Sequence, residues 1–334
     1  MIEPGRASPP GRLVALTTAA EAFVGPRWLV ANHLDPTRWV RLGKPRYRAA
    51  VMAVTLGDMV VAFALCSALA YGMSDFAGGS LARRASVWAV SATSQATAAV
   101  IAISLAAVSS GDARAGYLGW GVAAGCAGAA GTVLIHRGLA AGRMTIVAPV
   151  SAVTAAAVPV VAGLGGGERP GALPLGAVLL ALPAVWFVSG GAGARGWSRA
   201  EASDGLAAGL AFGVQFTALG QVPESAGLTP LALSQVVAVL AIVGASTAVA
   251  AGAWWPRTAP AWLGAVAGVL GGLATVLFQL AAQRGLLTIA GVLTALYPAV
   301  TVALAAVALR ERISLPQGVG LALAAATVTL VAAG

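Results

Sequence analysis

The sequence predicts an all-α integral membrane protein: ten transmembrane helices arranged as two inverted five-helix repeats. Composition, a near-continuous series of apolar segments and an internal duplication predict it. Of 334 residues, 59% are apolar and 9% charged, and the mean hydropathy is +0.87. Soluble domains carry about 25% charged residues, so too little polar surface exists here to coat a water-soluble globule. The 43 glycines suit helices whose backbones approach closely in lipid.

The net charge of +9 divides into +5 on residues 1–52 and +4 on the rest. No basic run is interleaved with aromatics as a nucleic-acid binder requires, so no nucleic-acid partner is expected and the charge reads as membrane topology. Lys44 is the one lysine against 19 arginines. With so much Ala and Gly, that skew suggests a GC-rich bacterial genome and hence the inner (plasma) membrane. Cys66 and Cys126 fall inside apolar spans without metal-ligand spacing and read as packing residues. No metal or cofactor is expected.

Residues 1–52 form a basic, Pro/Arg-rich tail with no apolar stretch near the ~20 residues a span needs. Its basic cluster "RWVRLGKPRYR" comes late, unlike the head of a signal peptide. It reads either as a disordered tail or as sequence upstream of a true start at Met52 or Met59.

From Met59 onward apolar segments follow one another across short polar breaks. The expected spans are 59–80, 86–109, 116–136, 143–163 and 171–191, then 204–222, 228–252, 260–282, 286–309 and 314–333. Each is about long enough to cross a ~30 Å hydrocarbon core at ~1.5 Å per residue. The runs are continuously apolar rather than alternating, which favours helices over a barrel. The break around "AAGRM", between the third and fourth, is the weakest.

"TVLIHRGLAAGRMTIVAPVSA" (Thr132–Ala152) aligns without a gap on "TVLFQLAAQRGLLTIAGVLTA" (Thr275–Ala295), an offset of 143. Glu168–Arg169 meet Glu311–Arg312 at the same offset, and "LAYG" at Leu69–Gly72 resembles "LAFG" at Leu210–Gly213. The halves are therefore 59–191 and 204–333. Five spans is an odd number, so the second copy enters from the opposite side. That inverted repeat is the architecture of alternating-access transporters, whose site lies near mid-membrane between the halves.

"LAAGRMTIVAPVSAV…GGGERP", "AAQRGLLTIAGVLTALYPAVTVALAAVALRERIS" and "LAYGMSDFAGGSLARR" together resemble the EamA-like members of the drug/metabolite transporter (DMT) superfamily, over residues 60–333. The resemblance implies ten helices in two inverted halves, cytoplasmic termini, and movement of a small metabolite or drug-like solute, often outward. One departure stands out. Tyr297–Pro298 correspond to Thr154–Ala155, and the first-half proline comes earlier, at Pro149.

Asp75 leads the candidate residues. It lies eight residues before Arg83, about 12 Å of helical rise, and an ionised carboxylate facing lipid there costs at least about 2.5 kcal/mol. It should face the bundle interior, carry a proton, or both, serving a coupling proton or a cationic substrate. The competing readings end the helix early at "DFAGGS" or let Asp75 bond helix backbone. Gln95, Gln215, Gln235, Gln279 and Gln283 either line a hydrophilic cavity or bond helices together; Gln279 and Gln283 share a helix face. His136 joins a proton path or sits at the interface beside Arg137. Tyr71, Phe212 and Tyr297 stack on substrate or pack against Gly72 and Gly213. Glu168–Arg169 and Glu311–Arg312 read as boundary devices, the acid capping the next helix and the arginine anchoring at headgroups.

The loop arginines favour an outside N-terminus and the tail an inside one; the resemblance decides for inside. No GxxxxGK[ST] occurs, so energy would come from an ion gradient or from exchange. The expected function is secondary transport of a small molecule across the lipid bilayer, an exporter coupled to protons or to exchange. The alternative is a non-transporting membrane helper that keeps the fold. A membrane-embedded enzyme is disfavoured, because the spans hold one His and neither an acidic cluster nor HExxH.

Overall fold

The computed structural model describes residues 43–140, 144–188, 199–250, 252–308 and 314–333, all helix or short turn, with no strand among them. Bilayers impose this, since backbone N–H and C=O groups in lipid must be bonded within their own segment. The helices are α1 (Gly43–Ala82), α2 (Val87–Val108), α3 (Ala115–Ala140), α4 (Met144–Gly165), α5 (Ala172–Val188), α6 (Arg199–Gly220), α7 (Thr229–Val249), α8 (Ala259–Arg284), α9 (Leu287–Thr294), α10 (Tyr297–Ala308) and α11 (Leu315–Ala333).

The chain divides into two compact units, Met1–Thr55 and Leu56–Gly334. In the first, the chain is helical from Gly43 on, inside the stretch 1–52 that reads as a disordered tail or as sequence upstream of the true start. Residues 1–42 lie outside the described residues. Everything below concerns the second unit.

Five helical segments are long and apolar enough to cross a membrane: Met59–Ala82, Val87–Val108, Ala115–Gly138, Thr229–Val249 and Ala259–Arg284. Val150–Gly165, Ala172–Val188, Leu287–Thr301 and Leu315–Val331 are apolar but shorter. Of the ten expected spans, five thus meet both length and apolarity among the described residues. Val100, Ile103, Leu179, Leu240 and Trp262 are exposed on outer faces, as lipid-facing side chains should be. Cys66 and Cys126 are exposed as well, which corrects their reading as packing residues: an apolar environment around a thiol here can be lipid as readily as protein.

The ninth expected span, 286–309, is broken. α9 stops at Thr294 and α10 restarts at Tyr297, because Pro298 has no N–H to give the Thr294 carbonyl. α4 runs unbroken through Pro149 and Pro159. The two proline-bearing segments therefore differ in shape, in line with the departure noted at Tyr297–Pro298.

Helix pairs meet at backbone distance through glycine. α8 packs on α2 and α3 on α7, and the contacts keep one register. A side chain at Gly264 would strike the Val90 carbonyl, and one at Gly268 the Ser94 carbonyl. Likewise Gly121 lies against the Pro230 carbonyl and Gly125 against that of Ser234. Gly121 and Gly125 precede Gly264 and Gly268 by 143 residues, while Val90 and Ser94 precede Pro230 and Ser234 by 140. Gly271 likewise receives Ser74 and Gly128 receives Gln215, the glycines again 143 residues apart and their partners 141.

At one end of the bundle the Asp112 N–H donates to the Ser225 carbonyl at 2.8 Å. Gly227, at φ +64°, turns the chain there against Ser110, a conformation that favours glycine. α3 starts at this end and α8 finishes there, since Gln283 donates to the Val222 and Pro223 carbonyls at 3.3 Å each. Glu168 also acts at this end. It accepts from Leu287 N–H at 2.6 Å, from Thr288 N–H at 3.0 Å and from the Thr288 hydroxyl. Glu168 is therefore a cap, but of α9 rather than of α5, the next helix in the chain. The carboxylate neutralises free N–H groups at the positive end of the α9 dipole. Arg169 bonds the Glu168 carbonyl at 3.0 Å and is exposed. Glu311–Arg312 lie outside the described residues.

Two predictions follow from these contacts. Glu168→Ala should lower stability by about 1 kcal/mol, the usual worth of a cap, and Glu168→Gln by less; equal melting of all three proteins in detergent would refute the cap. Gly125→Leu and Gly268→Leu should each cost about 1–3 kcal/mol or more through overpacking against backbone. Gly119→Leu, with nothing within 4 Å of its added Cβ, should melt like the parent.

Candidate functional site

Asp75 lies inside α1, which continues to Ala82, so "DFAGGS" does not end the helix. A carboxylate held within an unbroken apolar helix must find its environment between helices. It lines a cavity of about 40 Å³ with Tyr71, Ser74, Gln95, His136, Gln215 and Thr275, closed by Ser94, Thr132, Ile135, Phe212 and Gly271. Five helices contribute: α1, α2, α3, α6 and α8. The volume is about that of one to two water molecules, at roughly 30 Å³ each in the liquid.

Each polar wall is fixed by its own bonds. Thr275 donates to the Gly271 carbonyl at 2.8 Å, so the Tyr71 hydroxyl, 2.8 Å from Thr275 Oγ1, must be the donor in that pair. Ser74 donates to the Ala267 carbonyl at 2.9 Å and Ser67 to the Ala274 carbonyl at 2.8 Å. These three contacts clamp α1 against α8. His136 is buried, with Nδ1 2.9 Å from Ser91 Oγ. Its Nε2 points at Gly78, where any side chain would collide with the ring. Gly78 sits one helical turn beyond Asp75, so the imidazole reaches the same stretch of α1 that carries the acid.

An aromatic layer lies next to the cavity. The Tyr71 ring centroid is 5.7 Å from that of Phe216 and 6.3 Å from that of Tyr297, and Phe216 is 4.6 Å from Phe278. Tyr297 is buried at the α9–α10 break, its carbonyl against Gly72. Its hydroxyl and that of Ser151 are both buried without a hydrogen-bond partner among the described residues.

Of the ten candidates singled out from sequence, six line the cavity: Tyr71, Asp75, Gln95, His136, Phe212 and Gln215. Tyr297 touches it through Tyr71. Gln235 on α7 and Gln279 on α8 are buried elsewhere. His136 is buried among the helices, 3% exposed. Arg137 does go outward, pairing with Asp204 of α6. Sequence reasoning passed over Ser74, Ser91, Ser94, Thr132 and Thr275. A signal existed for the two threonines, since they occupy the same place in the duplicated "TVL". The serines carried none, because a small hydroxyl in a helix commonly bonds its own backbone.

A larger crevice of about 170 Å³ lies at the surface between the start of α2 and the loop before α8, lined by Ser86, Trp255, Arg257 and Thr258 among others. Arg257 is the one charged residue on its wall. The cavity between the helices gathers the acid, imidazole and amides, and is the stronger candidate.

Residues 204–333 match the model of the EamA-like transporter family. No curated protein matches the chain. Among solved structures, one titled "Crystal structure of protein" aligns with TM-score 0.60 and 18% identity, covering 79% of this chain and 97% of its own. At that identity the likeness is one of fold. The apolar helices and the family match agree on a multi-pass membrane protein, whose residues 204–333 are similar to the EamA-like transporter family, part of the DMT superfamily.

Proposed function

We propose that the protein is a secondary transporter that moves a small organic solute, outward across a bacterial inner membrane, by alternating access at a seam between two inverted five-helix halves. The observation that carries this reading is Asp75 in a cavity walled by α1, α2 and α3 from one half and by α6 and α8 from the other. The paired glycine contacts at offsets of 143 and 140 support the duplication. α3 beginning at the face where α8 ends supports the inversion. Members of the EamA-like family are transporters, and a midplane site between repeats is where such folds bind their cargo.

In this mechanism Asp75 holds either a coupling proton or the cationic group of the solute, while Gln95 and Gln215 bond its neutral parts. His136, anchored by Ser91, faces the same turn of α1 and can pass a proton along it. Access then alternates by parting contacts at one membrane face at a time. Arg137–Asp204 hold one face. The Glu168–Thr288 cap and the Arg284–Glu224 pair at 2.8 Å hold the other. The cytoplasmic placement of both termini rests on the family resemblance.

A second reading is a non-transporting membrane helper with the same fold. The cavity size favours it, because about 40 Å³ admits water but no drug-sized solute without helix movement. Reconstituted liposomes with and without a pH gradient separate the two, using a panel of small metabolites and amine drugs and a trapped pH dye. Transport predicts gradient-dependent uptake of at least one compound, reduced by about tenfold or more in Asp75→Asn, the factor that about 1.4 kcal/mol of lost binding gives. Uptake that persists unchanged in Asp75→Asn would remove Asp75 from the mechanism; no uptake of any compound would favour the helper. Gly78→Val should also slow uptake, since its side chain displaces His136, while Gly116→Val, in open space, should not.

A further inference from the structure

Thr275, Gln279 and Gln283 succeed one another at intervals of four on α8, which places them on one helix face. The first lines the Asp75 cavity and accepts the Tyr71 hydroxyl bond. The last gives its amide to the Val222 and Pro223 carbonyls, at the membrane face where Arg284 pairs with Glu224. Gln279 lies between them, fully buried, and neither Nε2 nor Oε1 has a hydrogen-bond partner among the described residues. A buried amide that bonds two helices together shows its partners, as Gln283 does. An amide with four unused bonding positions in an apolar bundle carries a desolvation cost with no return inside the protein. Water or a passing polar molecule can satisfy it.

The repeat register shows why Gln279 lacks partners. It stands 143 residues after His136, as Thr275 stands after Thr132. His136 has Ser91 to bond and Gly78 to make room. The residues 140 after Ser91 and 141 after Gly78 are Leu231 and Leu219, both fully buried, and neither can bond an amide.

We propose that this face of α8 is a polar lane linking the Asp75 cavity to the membrane face at Pro223 and Glu224. Water and uncharged hydrogen-bonding groups of the solute, such as hydroxyls and carboxamides, are bound at the Gln279 amide, and Gln283 forms the mouth. The lane rests on the transport reading for its cargo but not for its existence. The three side chains that mark it, Thr275, Gln279 and Gln283, are all uncharged, so its selectivity is for hydrogen bonding rather than charge.

The experiment reads water access rather than transport. Cys66 and Cys126 are replaced by Ala, single cysteines are placed at Gln279, Gln283 and the lipid-facing Leu273, which is 44% exposed, and each protein is put in nanodiscs. The probe is a charged, membrane-impermeant methanethiosulfonate, read by mass shift. The lane predicts labelling of Gln283→Cys and, more slowly, of Gln279→Cys, with Leu273→Cys unreacted. Gln279→Cys left unlabelled while Gln283→Cys reacts, or Leu273→Cys labelled as fast as Gln279→Cys, overturns it. Should Gln279→Cys not fold, Thr275→Cys serves instead: its labelling should slow by about tenfold or more when Gln279→Met is added, a factor equivalent to about 1.4 kcal/mol, and an unchanged rate overturns the lane. Either result stands whatever the liposome uptake assay gives, so failure of the lane and failure of transport are told apart.

Discussion

A carboxylate borne by an apolar helix can be accommodated only where other helices shield it from lipid, and Asp75 makes that demand at the centre of this bundle. Its position fixes which face of α1 turns inward. Tyr71, Ser74 and Gly78 share that face and meet Thr275, the Ala267 carbonyl and His136. The opposite faces of the bundle carry Val100, Leu179 and Leu240, which cost nothing in hydrocarbon. Polar chemistry is thereby concentrated in one small volume.

Close approach is the second requirement, and glycine supplies it. Where Gly125 and Gly268 bring carbonyls of neighbouring helices against their own backbone, dispersion and weak C–H···O contacts replace the hydrophobic drive that lipid cannot offer.

Much of the fold was legible in the sequence. Missing charge identified the membrane class, and apolar run length located most helices to within a few residues, though α1 starts at Gly43 rather than Met59 and the span 286–309 is split in two. The break at Tyr297–Pro298 was foreseeable from proline's missing donor. The cap formed by Glu168 was not: chain proximity suggested α5, whereas folding brings α9 closer, a long-range contact that no local pattern encodes. The site was half legible. Asp75, His136 and Gln215 are conspicuous because polarity is rare in such helices. Ser91 and Ser74 were invisible, since nothing distinguishes a serine that anchors an imidazole or a partner helix from one that bonds its own turn. Gln235 and Gln279 show the converse: an amide in an apolar span proves only that it needs partners, and its place is set by the neighbours it packs among.

The central claim is that the turn of α1 carrying Asp75 lies directly against α8. A Cβ at Gly271 would stand 3.9 Å from that of Ser74, within the roughly 3.5–4.5 Å that a disulfide spans. In protein lacking Cys66 and Cys126, the pair Ser74→Cys and Gly271→Cys should close to a disulfide in nearly every molecule under mild oxidation, seen as an intact-mass loss of two hydrogens. Free thiols at both positions after oxidation, in protein that is folded and monodisperse, would mean that Asp75 faces something other than this cavity.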